Sequence, residues 1–123
     1  MGIALWVAQV LLAVAFLGAG AMKLSQPKEK LVKNMAWVED FSQPTVNIIG
    51  ALEVMGAIGI VLPALTGILP WLTPLAALGL VLTMIGAALT HLRRSEYSVI
   101  TVPAVLLILA AFVAYGRFFV LPA

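Results

Sequence analysis

Four long apolar stretches, separated by short connections, dominate the pattern of hydrophobic and polar positions along the chain. They run from Ile3 to Leu24, from Pro44 to Leu62, from Pro70 to His91 and from Tyr97 to Gly116. At the helical rise of 1.5 Å per residue, about 20 apolar residues cross a hydrocarbon core of roughly 30 Å. Membrane-spanning strands would be about half as long and would alternate in polarity, which these stretches do not. The pattern predicts four transmembrane helices.

Proline positions agree with these boundaries. Pro44 and Pro74 lie just inside predicted helix starts, where a missing backbone N–H costs nothing, and Ser42 and Thr73 can cap those ends. Pro103 lies early in the fourth stretch, where we expect it to kink or loosen one turn. The predicted fold is all-α, a transmembrane four-helix bundle that forms a single domain over residues 1–123.

The connection between the first two helices, residues 25–43, is polar but carries apolar residues at helical spacing. Leu31, Met35 and Val38 fall on one helical face, and Trp37 lies beside it. This spacing favours a short amphipathic helix between helices 1 and 2 that lies on the membrane surface with its apolar side down. An ordinary solvated loop is the alternative.

The composition favours lipid as the surroundings of the chain. A soluble domain has roughly 45–50% apolar and about 25% charged residues, whereas this chain has 63% and 10%. Intrinsic disorder and a nucleic-acid-binding module are thereby excluded. The chain has no cysteine, one histidine and five carboxylates, so neither a metal site nor a covalently attached cofactor is expected.

Basic residues beside the predicted spans are unevenly distributed, which predicts the orientation. Six lie in or beside the first and third connections, and only Arg117 lies on the opposite side. By the positive-inside rule both connections face the cytoplasm, with both termini and the turn between Pro63 and Pro70 outside the cell membrane. The first span lacks a basic leader and a small-residue cleavage site, so we expect an anchor and not a cleaved signal peptide. The six are Lys23, Lys28, Lys30, Lys33, Arg93 and Arg94.

Glu53 is the only carboxylate inside a predicted span. It lies nine residues after Pro44, which places it roughly 13 Å along the helix. An ionised group at such a depth costs several kcal/mol and is a functional-site hypothesis by default. The alternative is a protonated glutamate that hydrogen-bonds neighbouring helices.

Three polar residues are candidates to join Glu53 in a ligand-binding site. Lys23, at the end of the first helix, is its candidate partner, although a lysine there can also extend to the lipid head groups. Asn47 lies six residues before Glu53, roughly on the same face. His91 ends the third helix with two arginines, which either form a polar mouth above Glu53 or only set the topology.

Small residues in the predicted spans mark surfaces where helices can touch. We expect helix packing at these positions first, and a ligand cleft is the second possibility. The residues are Gly18, Gly20, Gly50, Gly56, Gly86 and Ala87.

Three stretches on successive helices, Phe16–Leu24, Ile49–Ala57 and Met84–Arg94, carry a resemblance that covers most of the chain. With them the chain resembles the DoxX-like family of small four-helix membrane proteins. Relatives in that family have been linked to a quinone-reducing thiosulfate oxidoreductase, to membrane redox complexes and, in animals, to receptor-assembly chaperoning. The positions that match are Gly20, Lys23, Leu24, Gly50, Glu53, Gly56, Gly86, Ala87 and His91.

Three functions are compatible with these residues and with the resemblance. The first is a redox-associated accessory that binds a quinone-like or other amphipathic small molecule around Glu53. The second is a non-enzymatic assembly or structural protein that binds another membrane protein or a second copy of itself. The third is a proton-coupled exporter, which ranks last because small multidrug transporters carry their glutamate in the first helix, not the second.

Overall fold

The computed structural model describes residues 2–122, and within them it contains helices and no strands. Four stretches are long and apolar enough to cross a membrane, which confirms the predicted four-helix bundle. They are Gly2–Ser25, Gln43–Thr66, Leu72–Arg93 and Tyr97–Val120.

Two of these four stretches are continuous α-helices, and two are interrupted. α1 (Gly2–Ser25) and α5 (Leu72–Arg93) are continuous, whereas the other two are divided into shorter elements. The second stretch contains α3 (Gln43–Gly59) and α4 (Leu62–Thr66), and the fourth contains α6 (Thr101–Tyr115) between a 3-10 turn and a π turn. The remaining short helix, α2 (Lys28–Leu31), belongs to the connection after α1.

The interruptions follow from proline. α3 ends at Gly59, because Pro63 has no N–H to donate to the carbonyl oxygen four residues earlier and its ring clashes with that carbonyl. Pro63 instead lies in the first turn of α4, where a proline is tolerated. The predicted second helix, 44–62, therefore stops early. Pro103 lies in the first turn of α6, where it is tolerated, and the residues before it, Tyr97–Ile100, form a 3-10 turn.

The connection from 25 to 43 does not form the predicted single amphipathic helix. It forms α2 and a 3-10 turn, Ala36–Asp40, and Met35, whose backbone is not helical (φ −130°, ψ 77°), precedes the second of these. Leu31 and Val38 are buried together with Val46 of α3 in a small apolar cluster. The apolar residues therefore pack on the bundle, and placement of a helix on a membrane surface is not confirmed.

The four spanning stretches enclose an apolar core. α1 packs mainly on α3, and α5 packs mainly on α6, while α1–α6 and α3–α5 contacts close the bundle. Large apolar side chains also cover the outside, among them Val14, Leu82 and Ile108, as expected for helices that face lipid. The core includes Leu12, Phe16, Ala57, Ile60, Leu80, Met84 and Val113.

Glycines allow α1 and α3 to touch backbone to backbone. A Cβ on Gly20 would lie 2.6 Å from the carbonyl oxygen of Gly50, and one on Gly50 would lie 2.8 Å from the carbonyl oxygen of Gly20. Gly56 lies similarly close to Leu80 of α5. At Gly18 and Gly86, also predicted at helix contacts, a Cβ would meet no atom within 4 Å, so no close helix contact requires a glycine there. Ala87 packs at the edge of the core.

Candidate functional site

An ion pair between Lys23 and Glu53 joins α1 to α3. Lys23 Nζ donates a hydrogen bond to Glu53 Oε1 at 2.7 Å, and the two side chains are only 6% and 4% exposed. Lys23 lies in the last turn of α1, one turn after Gly20, and Glu53 lies one turn after Gly50. The close approach of the two glycines therefore brings the charges together.

The pair retains hydrogen-bonding capacity. An ammonium has three N–H donors, and Lys23 uses one of them on Glu53. Glu53 Oε2 accepts no hydrogen bond from residues 2–122. The Trp37 ring centroid lies 5.6 Å from Lys23 Nζ, which adds a cation–π contact. The arrangement offers both a donor and an acceptor to a further polar group.

A cavity of about 440 Å³ adjoins this pair. The four long helices and the connection before α3 all contribute to its wall, which is mostly apolar. Ligand sites in proteins have volumes of about 300–1,000 Å³ and combine an apolar wall with a few polar groups. The wall includes Phe16, Lys23, Met35, Trp37, Phe41, Glu53, Thr90, His91 and Leu106.

Three of the four residues predicted for a ligand site line this cavity: Lys23, Glu53 and His91. His91 reaches it from the end of α5, and its Nδ1 donates to Glu96 Oε1 at 2.9 Å. Asn47 is not among the lining residues. Its Oδ1 accepts a hydrogen bond from Gln43 Nε2 at 3.0 Å, and Gln43 in turn accepts one from the backbone N–H of Lys28. Asn47 thus helps to hold the connection onto α3.

Arg94 ties the connection to the end of α5. Its guanidinium donates to Glu39 at 2.8 Å, to Asp40 at 2.7 Å and to Glu96 at 3.1 Å. Glu39 and Asp40 lie between Trp37 and Phe41, two aromatic residues that line the cavity. The Arg94 contacts therefore help to hold Trp37 and Phe41 at the wall of the cavity.

The polar groups at this end of the bundle shift one another's pKa values. The hydrogen bond from His91, and after it the hydrogen bond and charge of Arg94, hold the pKa of Glu96 below its usual value. Hydrogen bonds to Asp40, Glu39 and Glu96 raise the pKa of Arg94. Glu96 is thus a carboxylate whose ionised form the fold favours.

A second buried polar cluster lies at the opposite end of the bundle, and the sequence interpretation missed it. Gln9 is 0% exposed and Arg117 is 6% exposed. Arg117 Nε donates to Gln9 Oε1 at 2.9 Å, and Gln9 Nε2 donates to the carbonyl oxygen of Ile60. Arg117 also donates to the carbonyl oxygen of Leu121 and lies over the Trp6 ring, 5.4 Å from its centroid.

The assignment of Arg117 as a topology-setting residue at the outer end is therefore incomplete. The signal that could have revealed the cluster is Gln9, the only hydrogen-bonding polar side chain other than Trp6 between Ile3 and Met22. A polar group in lipid surroundings needs a partner on another helix. Gln9 finds it at Ile60, where α3 ends and the carbonyl is free of the helical ladder.

The side chains of residues 2–122 include no group of three or more His, Cys, Asp or Glu that is placed to hold a metal ion. The arrangement around Lys23 and Glu53 instead suits hydrogen bonding to an organic group. A carbonyl oxygen could accept from Lys23, and a hydroxyl could donate to Glu53.

Comparisons with known proteins identify the family. No curated protein and no solved structure matches the chain significantly. The family model described as the DoxX-like family matches residues 7–113. This range includes all four spanning stretches in large part, together with Lys23, Glu53 and His91. The chain is therefore a multi-pass membrane protein that belongs to the DoxX-like family.

Proposed function

We propose that this DoxX-like protein is a redox-associated membrane accessory that binds a quinone-like or other amphipathic small molecule in the cavity beside Glu53. The observation that carries the proposal is the Lys23–Glu53 pair, buried at the wall of an apolar cavity with a free acceptor and two free donors. Burying two charges costs several kcal/mol each unless their hydrogen-bonding capacity is used. A polar ligand head would use the capacity that the protein leaves free.

The charges of the site favour a neutral head group. Lys23 and Glu53 together carry no net charge, so a ligand with a full charge would leave one charge uncompensated in the membrane interior. A quinone ring accepts hydrogen bonds at its carbonyl oxygens, and the reduced ring donates them from its hydroxyls. Lys23 and Glu53 match these two forms respectively. The aromatic rings of Trp37 and Phe41 offer apolar faces to such a ring.

The proposed role is that of an accessory, because the side chains around the cavity supply groups that bind and orient a ligand. Electron transfer to or from the ligand is then the work of a partner membrane protein. His91 lines the same cavity and is hydrogen-bonded to Glu96 outside the span. It gives the cavity a second polar position besides the Lys23–Glu53 pair.

The Lys23–Glu53 pair weighs against a proton-coupled exporter. The carboxylate of such a transporter binds protons and substrate in turn, and here Lys23 already occupies Oε1 at 2.7 Å. A pH-dependent flux of a cationic substrate into liposomes, lost in Glu53→Gln, would restore that alternative. An assembly role would be supported by a stoichiometric membrane-protein partner that survives purification in mild detergent.

The test measures quinone binding through the fluorescence of Trp37, which lines the cavity. Replacing Trp6 and Trp71 by Phe leaves Trp37 as the only tryptophan, and a quinone that binds beside it quenches its emission. Glu53→Gln and Lys23→Met should weaken binding by on the order of tenfold or more, since a hydrogen bond to a charged group contributes about 1.5–3 kcal/mol.

Matched controls for this test are Glu29→Gln and Lys33→Met, which change the same residue types at exposed positions of the connection. Both should bind like the parent. Equal quinone affinity in Glu53→Gln, Lys23→Met and the parent protein would overturn the proposed function.

A further inference from the structure

An apolar groove between α3 and α5 opens on the outside of the bundle. It has a volume of about 610 Å³, and its wall carries Met55, Gly56, Gly59, Leu75, Ala76 and Gly79. Leu52, Leu82 and Thr83 line both this groove and the cavity beside Glu53. The groove and the cavity are therefore adjacent parts of one depression, which is polar at the Glu53 end and apolar along the groove.

Small residues shape the groove. On the α3 side, a Cβ on Gly56 would lie 2.6 Å from Leu80 and one on Gly59 would lie 2.8 Å from Ala76, so the helices touch there. At Gly79 a Cβ would meet no atom within 4 Å. The groove therefore has a floor where the helices meet and open space above Gly79.

The groove offers nothing to a polar group. Its one hydroxyl-bearing side chain at the junction, Thr83, donates to the carbonyl oxygen of Gly79 at 2.9 Å and is thereby satisfied. By contrast, Glu53 is 4% exposed and its Oε2 faces no partner among residues 2–122. A single molecule that fits both parts has a hydrogen-bonding head and a flexible apolar tail.

We propose that the α3–α5 groove holds the apolar tail of the ligand whose head binds Lys23 and Glu53. The ligand class is then a lipid-soluble quinone with an isoprenoid or alkyl chain. This inference rests on the proposed function, because the head fixes the point at which the tail leaves the cavity. Leu52, Leu82 and Thr83 form that exit.

The tail gains close packing in the groove more than it gains escape from water. A tailed quinone resides in lipid or detergent before it binds, so the hydrophobic effect contributes little to the transfer, and dispersion contacts with the groove wall contribute instead. Filling the groove removes those contacts without touching the head site. A side chain at Gly79 does this in otherwise open space.

The experiment compares one benzoquinone ring with and without a ten-carbon alkyl tail, bound to protein in which Trp37 is the only tryptophan. Gly79→Leu fills the groove. Gly18→Leu is the matched control, because it also lies within a long helix, a Cβ there also meets nothing within 4 Å, and it lines neither the groove nor the cavity. Both changes remove a helix-interior glycine, so both should raise helix stability alike.

The expected result is that Gly79→Leu weakens binding of the tailed quinone by on the order of tenfold and leaves the tail-less ring unchanged, while Gly18→Leu changes neither. In the parent protein, affinity should rise as the tail is lengthened from two to ten carbons, a series that needs no variant. Equal affinity across that series, or no effect of Gly79→Leu on the tailed quinone, would overturn the inference.

The two proposals fail in different ways. If the tail-less ring binds and Glu53→Gln abolishes that binding, the proposed head site is supported. The tail experiments alone then test whether the groove holds the tail. If neither quinone binds the parent protein, or Glu53→Gln has no effect on either, the proposed function itself is wrong. A tailed quinone that binds independently of Glu53 would make the groove a general lipid-binding surface and would also overturn the inference.

Discussion

Gly20 of α1 and Gly50 of α3 face each other so closely that a Cβ on Gly20 would lie 2.6 Å from the carbonyl oxygen of Gly50. One turn further along each helix lie Lys23 and Glu53, whose charged atoms are 2.7 Å apart. The glycine contact thus lets the two helices approach closely enough for the charges to pair. A buried ion pair depends strongly on such geometry, because only close pairing offsets the loss of hydration.

Replacing Gly50 by Ala should therefore destabilise the bundle. The new methyl group would lie 2.8 Å from both the Gly20 carbonyl oxygen and Lys23 Cβ, and such overpacking costs about 1–3 kcal/mol. Thermal unfolding in detergent measures the effect. Gly18→Ala, in open space on the same helix as Gly20, should be neutral or slightly stabilising. An unfolding temperature for Gly50→Ala equal to that of the parent would contradict the close contact.

The Lys23–Glu53 pair should show strong energetic coupling. Lys23→Met or Glu53→Leu alone leaves a buried charge without its partner, which costs about 3–5 kcal/mol. The double variant removes both charges and should recover much of that loss. Chemical unfolding of the four proteins in detergent gives the coupling free energy. Additive losses in the double variant would show that the two charges do not interact.

The stability of the bundle should depend on pH through Glu96. The fold lowers the pKa of Glu96 through His91 and Arg94, so its ionised form is favoured in the folded state. This contribution is fully present above the unfolded value of about 4.3. It is lost as the pH falls from that value through the lower folded pKa.

The measurement is the difference in unfolding temperature between the parent and Glu96→Gln as a function of pH. The difference should shrink as the pH falls below about 4.3, the unfolded value of the Glu96 pKa. Glu29→Gln, at an exposed position without a side-chain partner among the described residues, should show no such trend. A difference between the parent and Glu96→Gln that stays constant through the acid range would contradict the pairing of Glu96.

Cysteine labelling tests the proposed orientation, since the chain contains no cysteine of its own. Asn34→Cys lies in the connection after α1, and Ile68→Cys lies in the turn between α4 and α5; both positions are exposed. In intact cells a membrane-impermeant maleimide should label Ile68→Cys and should label Asn34→Cys only after permeabilisation. The reverse pattern would place the six basic residues outside.

The spans were predictable because length and hydropathy alone define them, and the structure confirms all four. Their internal breaks were less predictable. The sequence predicts a second helix up to Leu62, directly before Pro63, but the α-helix ends at Gly59. In the connection, the spacing of Leu31, Met35 and Val38 suits one helix, yet the backbone of Met35 is not helical. Contacts with Val46 of α3, which are distant in sequence, stabilise the two shorter turns instead.

Three of the four residues predicted for a ligand site line the cavity, and Asn47 does not; the geometry that joins Lys23 to Glu53 was not predictable. Glu53 stood out because a carboxylate in lipid is costly, and the charge of Lys23 made it the natural partner. Whether they meet depends on how closely α1 and α3 approach, which Gly20 and Gly50 decide together. The contact of Arg117 with Gln9 was not predictable, because it joins positions 108 residues apart, and a basic residue near the end of a span indicates only topology.

The exposed ion pairs of Arg94 make the two ends of the bundle unequal in their response to salt. Glu39 and Asp40 are more than half exposed, so dissolved salt weakens their attraction to Arg94. The Gln9–Arg117 contact is buried and escapes that screening. We therefore expect added salt to weaken the Arg94 contacts beside Trp37 and Phe41 and to leave the Gln9–Arg117 contact unchanged.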